Sequence, residues 1–224
     1  MARRTVDFAG VAAALSRAYG DFAHHNKSDP FDELLFIVCS TKTNESGYRG
    51  TYGKLMARFP TRASLAVATA KQIERAILSG GLAKQKSGAI RKIADTIIGK
   101  FGKPTLSPLK KCADREAEEF LRSLPSVGPK VARCVMMYSL GRQVFPVDTH
   151  CWRIVRRLGW ARPTQKDGHC APRDMDRIQE KIPPEFRFSL HVNFVSHGRA
   201  VCTASSPKCG DCVIAVHCRR VGVK

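Results

Sequence analysis

Four cysteines near the end of the chain carry the strongest chemical signal. Cys202, Cys209, Cys212 and Cys218 are separated by six, two and five residues. Four thiolates in one short loop form a soft, tetrahedral ligand set that suits Zn²⁺ or an iron–sulfur cluster. A zinc ribbon would usually contain two Cys-x-x-Cys pairs, whereas this loop contains one. The spacing therefore predicts a metal site and leaves the choice between zinc and iron–sulfur open.

A lysine follows a tight turn between two predicted helices. Gly128 and Pro129 close the turn, and Lys130 lies in the first turn of the second helix. Backbone N–H groups at a helix start, together with the helix dipole, suit a phosphate oxygen. The same dipole destabilises an ammonium group, and partial burial would act in the same direction. Lys130 is therefore a candidate amine nucleophile. The simpler interpretation of this lysine is that it pairs with phosphate, and the simpler interpretation of the turn is an ordinary helical hairpin.

Asp148 occupies a predicted N-cap in the segment 147–150. A carboxylate at that position accepts hydrogen bonds from the N–H groups of the following turn. Structural capping is enough to explain an isolated aspartate, and nothing in the residue spacing alone brings Asp148 close to Lys130. The pair gains catalytic meaning only if the fold brings both residues to one cleft.

The elements that must position these residues are predicted to be helices. Apolar residues recur at helical spacing nearly throughout, without convincing strand alternation, internal repeats or low-complexity stretches. Thr61 and Thr69 resemble N-caps, Gly80-Gly81 breaks the chain, and a loop is bracketed by Pro104 and Pro108. Helices are predicted over about 11–19, 28–41, 85–100, 148–158, 173–182 and 184–201, and on both sides of the turn 124–129. The fold class is therefore predicted to be all-α.

Charge predicts the class of partner. Lysine and arginine number 38 against 19 acidic residues, a formal charge of +19. Such an excess attracts polyanions, of which nucleic acid is the commonest inside cells. A merely soluble basic surface, or a protein that binds ribosomes or membrane surfaces, is the alternative. The longest apolar run, 34–39, is too short to cross a bilayer, so a cytoplasmic, nucleoid-associated protein is expected.

The other five cysteines are dispersed along the chain and are interpreted as small buried hydrophobic residues. They are Cys39, Cys112, Cys134, Cys151 and Cys170. An odd total of nine cysteines, without a secretion signal, argues against a disulfide framework.

Taken together, these motifs resemble the endonuclease III family of helix–hairpin–helix DNA glycosylases. The segment 124–132 resembles the family's hairpin, with Lys130 at the place of its catalytic lysine. The segment 147–150 resembles the one that carries the catalytic aspartate, here Asp148. The segment 197–199 and the cysteine loop resemble the family's 4Fe–4S signature, so the resemblance implies an iron–sulfur cluster. The likeness runs from about residue 30 to residue 218.

The resemblance implies two helical domains with double-stranded DNA in the groove between them. One domain would comprise residues 29–142 and contain the hairpin. The other would be discontinuous, formed by 1–28 and 143–224, and would hold the cluster loop. The two candidate catalytic residues would then meet at the mouth of the cleft, and the protein would act as a monomer.

Several further residues are expected to contact DNA. Val127 and Gly128 belong to the hairpin, and His150 follows the candidate aspartate. Leu82 resembles the family's apolar wedge into the base stack, although a core leucine is the simpler interpretation. Lys42 stands where the family usually has a glutamine that fills the gap left by a flipped base. Because a lysine cannot reproduce the paired donor and acceptor of an amide, the preferred lesion and opposite base stay open.

The implied activity is that of a bifunctional DNA glycosylase and AP lyase acting on oxidised pyrimidines such as thymine glycol. Lys130 would attack the C1′ atom of a flipped nucleotide, and Asp148 would stabilise the cationic transition state. Ser126 replaces the usual first glycine of the hairpin, which would strain the turn if that residue needs a positive φ. The alternatives are a glycosylase for mismatched or otherwise altered bases and a non-catalytic iron–sulfur protein that binds DNA.

Overall fold

The computed structural model describes residues 6–43 and 45–223, and this part of the chain is all-helical, without strands. Its α-helices are α1 (Phe8–Tyr19), α2 (Pro30–Ser40), α3 (Glu45–Arg58), α4 (Arg62–Ala66), α5 (Ala70–Ala76), α6 (Ala83–Phe101), α7 (Asp114–Ser123), α8 (Pro129–Leu140), α9 (Thr149–Arg157), α10 (Pro172–Lys181) and α11 (Pro184–Ala200). Short 3₁₀ helices cover Leu78–Gly80, Ser107–Lys111, Cys209–Asp211 and Ala215–His217. The predicted all-α class is confirmed. Within these described ranges, no helix has both the length and the apolar character needed to span a bilayer.

The chain divides into two compact units. The cysteine-loop unit comprises Met1–His24 and Gln143–Lys224, and the hairpin unit comprises His25–Arg142. The cysteine-loop unit is thus built from both ends of the chain. The domain bounds given above, 29–142 and 1–28 with 143–224, stay a prediction.

Helix starts in the hairpin unit follow local capping chemistry. The Asp29 carboxylate accepts hydrogen bonds from the N–H groups of Phe31 and Asp32, and Pro30 takes the first helical position of α2. Thr69 forms a capping box with Gln72 at the start of α5. These groups satisfy N–H donors that have no partner within their own helix. The sequence predicted each of these starts.

Two elements differ from the sequence expectations. Helix α3 was not predicted, because three glycines, Gly47, Gly50 and Gly53, interrupt its apolar periodicity and glycine disfavours helix. The loop expected between Pro104 and Pro108 is present up to residue 106, where the 3₁₀ helix Ser107–Lys111 follows it. Tertiary packing decides both segments, since neither has a strong local preference.

The core of the cysteine-loop unit joins α1 to α9 and α11. Phe145 and Phe194 are completely buried there, and Trp160 packs against Phe194 with ring centroids 5.9 Å apart. Leu15 of α1 belongs to the same core. This packing explains how the N-terminal helix becomes part of a unit whose other residues all follow residue 142.

The dispersed cysteines divide into two groups. None of the nine cysteines, all of which lie in the described ranges, forms a disulfide. Cys39, Cys134 and Cys151 are buried, as the interpretation of small hydrophobic residues requires. Cys112 and Cys170 are only half-buried, so for them that interpretation is wrong. Both lie beside loops, where packing is less complete.

Glu33 places a carboxyl group inside the hairpin unit. The residue is completely buried, its Oε2 accepts a hydrogen bond of 2.6 Å from the Lys27 N–H, and no described residue bonds its Oε1. Burial raises the pKa of Glu33 to about 8, although the Lys27 N–H and the positive charges of Lys130 and Lys27 act in the opposite direction. The carboxyl is therefore largely protonated at neutral pH.

We expect Glu33→Gln to stabilise the protein increasingly as pH rises. The carboxyl of the unfolded chain ionises near 4.5 and that of the folded chain near 8. Between these values the unfolded state binds fewer protons, so the wild type loses stability with rising pH, by about 1.4 kcal/mol for each pH unit. Glutamine abolishes this loss. Urea unfolding at closely spaced pH values between 4 and 9 (roughly the titration window) measures the difference.

The matched control is Glu180→Gln, since Glu180 is exposed on α10. Its effect on stability should be small and should not grow with pH in the same way. A stability difference between Glu33→Gln and the wild type that stays constant over the whole range would contradict the assignment of a raised pKa.

Candidate nucleic-acid interface and cysteine-lined cavity

The four cysteines of the predicted metal site line one cavity in the cysteine-loop unit. Cys202, Cys209, Cys212 and Cys218 all face this space. Burial raises the pKa of Cys212 and of Cys218, and the other thiols of the set raise both further. The four sulfurs therefore lie within electrostatic reach of one another. A cationic centre bound among them would reverse this effect and favour the thiolates.

Hydrogen-bond donors point at three of the four sulfurs. Cys202 Sγ accepts from Arg157 Nη1 at 3.2 Å, and Cys218 Sγ accepts from the Arg220 N–H at 3.4 Å. The third contact joins Cys212 Sγ to His197 Nε2 at 3.4 Å. Such donors stabilise sulfur ligands and tune an iron–sulfur cluster. The described residues contain no group of three or more His, Cys, Asp or Glu side chains placed to hold a single metal ion.

His197 connects the cysteine loop to the N-terminal helix. Its ring is completely buried, and burial lowers the pKa of His197 to about 4, so the ring is neutral. Tyr19 Oη lies 2.9 Å from His197 Nδ1, and Nε2 faces the Cys212 sulfur. A thiolate can only accept, so a proton on Nε2 and a hydroxyl that donates to Nδ1 satisfy both contacts.

The turn between α7 and α8 covers residues 124–128, within the turn predicted at 124–129. Ser126 adopts a φ of +63°, which confirms that its position in the turn favours glycine. The Val127 side chain is buried, and its N–H donates to the Leu124 carbonyl at 3.2 Å. Gly128, which is exposed, is the N-cap of α8 and precedes Pro129 in an extended conformation. The buried Val127 side chain thus holds the turn in place, while Gly128 stays exposed.

Lys130 is the second residue of α8 and is half-buried. Its positive charge acts on the buried Glu33 carboxyl of α2. Glu118 of α7 forms an ion pair of 3.1 Å with Arg133 of α8, and the arginine side chain is only 4% exposed. A buried ion pair of this kind orients two helices even where its net contribution to stability is small. The Glu118–Arg133 ion pair therefore fixes the orientation of the helix that carries Lys130 in its first turn.

An aromatic group close to α8 was not found from the sequence. Phe36 lies 5.2 Å from the Tyr48 ring and 5.3 Å from the Tyr52 ring, both edge-to-face. Val131 and Tyr138 of α8 pack against this group. The i, i+4 spacing of the two tyrosines is a signal that could have revealed it, had α3 been predicted as a helix.

Asp148 caps α9, as predicted. Its Oδ1 accepts the Cys151 N–H at 2.7 Å. His150, which follows in the first turn, has its Nδ1 2.9 Å from an Arg153 nitrogen. Burial lowers the pKa of His150, and the nearby charges of Arg153 and Arg199 lower it as well, against the opposing effect of Asp148. A Cβ added to Gly198 would lie 2.7 Å from the His150 Cβ, so this contact requires glycine.

Lys42 and Leu82 lie on two loops of the hairpin unit. Both residues have a positive φ, +51° and +52° respectively, and both side chains are exposed. Leu82 is the N-cap of α6 and is 42% exposed, which contradicts the interpretation of a core leucine. Lys86, which the sequence did not single out, is buried between these loops and donates hydrogen bonds to groups of both.

The hairpin and the cysteine-lined cavity define a helix–hairpin–helix protein with a metal-binding loop. Residues 36–179 match the HhH-GPD superfamily of base excision DNA repair proteins, and residues 202–218 match the iron–sulfur binding domain of endonuclease III. The chain belongs to this superfamily and, within it, to the endonuclease III family of DNA glycosylases. The predicted family is thus confirmed, and the cofactor is a 4Fe–4S cluster rather than zinc.

The comparisons with individual proteins agree with this family. The chain is 30% identical over 204 residues to endonuclease III of Haemophilus influenzae, covering 85% of this chain and 84% of that protein. It is 33% identical over 174 residues to an Arabidopsis thaliana protein provisionally named a DNA glycosylase. That alignment covers 75% of this chain and 56% of the plant protein, so the chain spans little more than half of this relative.

The fold is also that of a solved endonuclease III. A structure of endonuclease III trapped as a covalent intermediate with DNA superposes with a TM-score of 0.79 and 23% identity. The match covers 96% of this chain and 97% of that one.

Proposed function

We propose that the protein is a bifunctional DNA glycosylase and AP lyase that removes oxidised pyrimidines, such as thymine glycol, from double-stranded DNA as a monomer. The placement of Lys130 carries this proposal. A half-buried amine in the first turn of α8 meets the positive end of the helix dipole. A helix start disfavours an ammonium group, and the neutral amine is the nucleophilic form.

The proposed reaction begins with a nucleotide flipped out of the stack, because C1′ is out of reach inside the duplex. The Lys130 nitrogen forms a bond to C1′ while the C1′–base bond breaks, and the base leaves with the bonding electron pair and takes up a proton. Loss of the amine proton and opening of the sugar ring give a Schiff base. Removal of a C2′ proton then expels the 3′ phosphate, which nicks the strand on the 3′ side of the lesion. The related endonuclease III, which was trapped as a covalent intermediate with DNA, supports this route.

Asp148 is proposed to stay ionised and to stabilise the cationic sugar as the base departs. Its position as N-cap supports this role, since the Cys151 N–H donates to its Oδ1 and holds the carboxylate in place. The same carboxylate can assist the proton transfers that accompany ring opening. Capping and catalysis are therefore compatible in one residue.

We propose that different residues contact the phosphates and the base stack of DNA. Gly128 exposes its backbone at the start of α8, where a phosphate can bind. The buried side chain of Val127 does not contact DNA, and Val127 contributes to binding by holding the turn in place. His150, neutral and held by Arg153, would border the site near Asp148. Leu82 would enter the base stack. The excess of positive charge supplies affinity that is independent of DNA sequence and falls with salt.

Cys202, Cys209, Cys212 and Cys218 are proposed to ligate the 4Fe–4S cluster. They line one cavity, and the donors on three of their sulfurs fit anionic ligands that share a cationic centre. When bound, the cluster holds the loop in one conformation. The residues of the loop keep this shape through Arg157, which also donates to the carbonyls of Thr203 and Ala204 at 2.6 and 2.9 Å.

A second candidate function rests on Lys42. An ammonium group donates hydrogen bonds but cannot accept them, so it cannot pair with an orphaned base as an amide does. A glycosylase for mismatched or otherwise altered bases is therefore the alternative substrate class. An iron–sulfur DNA-binding protein without catalysis is the third, and the proposed reaction is tested directly against it.

Lys130→Gln should abolish strand nicking while leaving DNA affinity nearly unchanged, because glutamine keeps a polar side chain at this position but has no nucleophilic amine. The measurement is borohydride trapping on duplexes that contain thymine glycol, an abasic site or a mismatched thymine. Lys100→Gln, in the last turn of α6, is the matched control and should trap like wild type. Trapping by Lys130→Gln would assign the Schiff base to another amine. Trapping of the wild type on the abasic or mismatched duplex alone would favour the alternative substrates.

Asp148→Asn should slow base release by about 100-fold or more, because it removes the charge that stabilises the transition state. Asparagine is as good an N-cap as aspartate, so the thermal stability of the protein should change little. Single-turnover base release and binding to an uncleavable lesion analogue separate the two effects. Unchanged release kinetics would leave Asp148 as a cap only.

Cys212→Ser should yield protein that has lost the brown colour and the violet-blue absorbance of the cluster, with iron and sulfide contents falling in parallel. Serine lacks the soft sulfur ligand that an iron–sulfur centre requires. Cys170→Ser in the same unit is the control and should retain the cluster. Full iron content and unchanged absorbance in Cys212→Ser would exclude Cys212 as a ligand.

A further inference from the structure

Lys86 occupies an unusual position for a lysine of a basic helix. Lys86 is the fourth residue of α6 and is only 4% exposed. The ammonium group donates to the Cys39 carbonyl at 2.8 Å, to Thr43 Oγ1 at 2.7 Å and to the Gly80 carbonyl at 2.7 Å. An ammonium has three N–H donors, and these contacts use all three. Burial lowers the pKa of Lys86, and the three acceptors offset the cost of burying its charge.

The three acceptors belong to the segments that carry the two exposed side chains of the proposed DNA face. Cys39 and Thr43 bracket the turn at Lys42, and Gly80 lies two residues before Leu82. The Thr43 hydroxyl also donates to the Gly80 carbonyl at 2.9 Å. The two turns are therefore joined to each other and to the same ammonium group.

Both exposed residues have a strained backbone conformation. Lys42 and Leu82 both lie in the left-handed region, at φ +51° and +52°. For residues other than glycine this conformation is strained, and it persists only where the surroundings impose it. Gly80 adds a further constraint, because a Cβ there would lie 2.3 Å from Thr51 Oγ1. The close approach of this turn to α3 and the Lys86 bonds supply the imposing contacts.

We propose that Lys86 is a positioning residue for lesion recognition. Its ammonium group clamps the Lys42 turn to the Leu82 turn, so that both side chains enter a damaged site together and in a fixed relation. The inference rests on the proposed function for what these two side chains do to DNA. A lysine that merely completed the fold would stabilise the protein without affecting how damaged and intact duplexes are distinguished.

The test compares Lys86→Met with wild type and with Lys92→Met, an exposed lysine of the same helix. Methionine retains the bulk of the side chain but has no N–H donor. Affinity is measured for an undamaged duplex and for one with a tetrahydrofuran abasic-site analogue, and base extrusion is followed through 2-aminopurine fluorescence. Lys86→Met should bind the undamaged duplex like wild type, but lose about 10- to 100-fold of its preference for the analogue and extrude the base more slowly. Lys92→Met should match wild type in both.

Thr43→Val provides a milder variant in case Lys86→Met does not fold. It removes one acceptor of the ammonium and the bond from Thr43 to Gly80, and it should give a smaller loss of the same preference. Helix content and thermal unfolding verify that each variant is folded. Unchanged preference and extrusion rate in a folded Lys86→Met overturn the proposal, as does an equal loss of affinity for both duplexes. Where Lys86→Met is unfolded, an unchanged Thr43→Val overturns it instead.

The proposed function fails in a different way. If the wild type itself binds the analogue duplex no better than the undamaged duplex, recognition of damaged DNA is wrong for this protein, and with it the premise of the clamp. If the wild type discriminates and the folded variants discriminate equally well, only the role of Lys86 is wrong.

Discussion

The start of an α-helix leaves N–H groups that no carbonyl of the same helix can accept, and the proposed functional residues gather where this constraint acts. The Asp148 carboxylate caps α9, and Leu82 occupies the N-cap position of α6. Lys130 comes two residues after Gly128, the exposed N-cap residue of α8. A helix start attracts negative charge and disfavours positive charge. The same backbone geometry therefore suits a phosphate or a carboxylate and disfavours an ammonium group.

Buried cations fix loops in both units. Lys86 binds two turns of the hairpin unit through three acceptors, and Arg157 holds the cysteine loop through carbonyls and a sulfur. Each cation is compensated by several hydrogen bonds, so its burial costs less than that of an isolated charge. Glu33 is the exception, because one of its oxygens has no hydrogen-bond partner among the described residues. Burial raises the pKa of its carboxyl, so protonation removes the buried negative charge.

The cysteine-loop unit shows why the first helix belongs with the last residues of the chain. Leu15 of α1 enters the core formed with α9 and α11, and Tyr19 orients the His197 ring towards the Cys212 sulfur. The second contact links a hydrophobic packing requirement to the environment of the cluster. Such outer contacts decide ligand orientation and electronic properties in metal sites generally.

Local sequence was enough to predict the helical class, the caps at Asp29, Thr69 and Asp148, the strained turn at Ser126, and the family, because each depends on neighbouring residues or on motif spacing. It was not enough to predict helix α3, whose glycines remove the local signal, or the aromatic group that α3 shares with Phe36. Nor could it distinguish Lys86 from the solvated lysines of the same helix, or Glu33 from an exposed acid at a helix start. These features emerged only in the folded chain, since burial and hydrogen-bond partners depend on residues distant in the sequence.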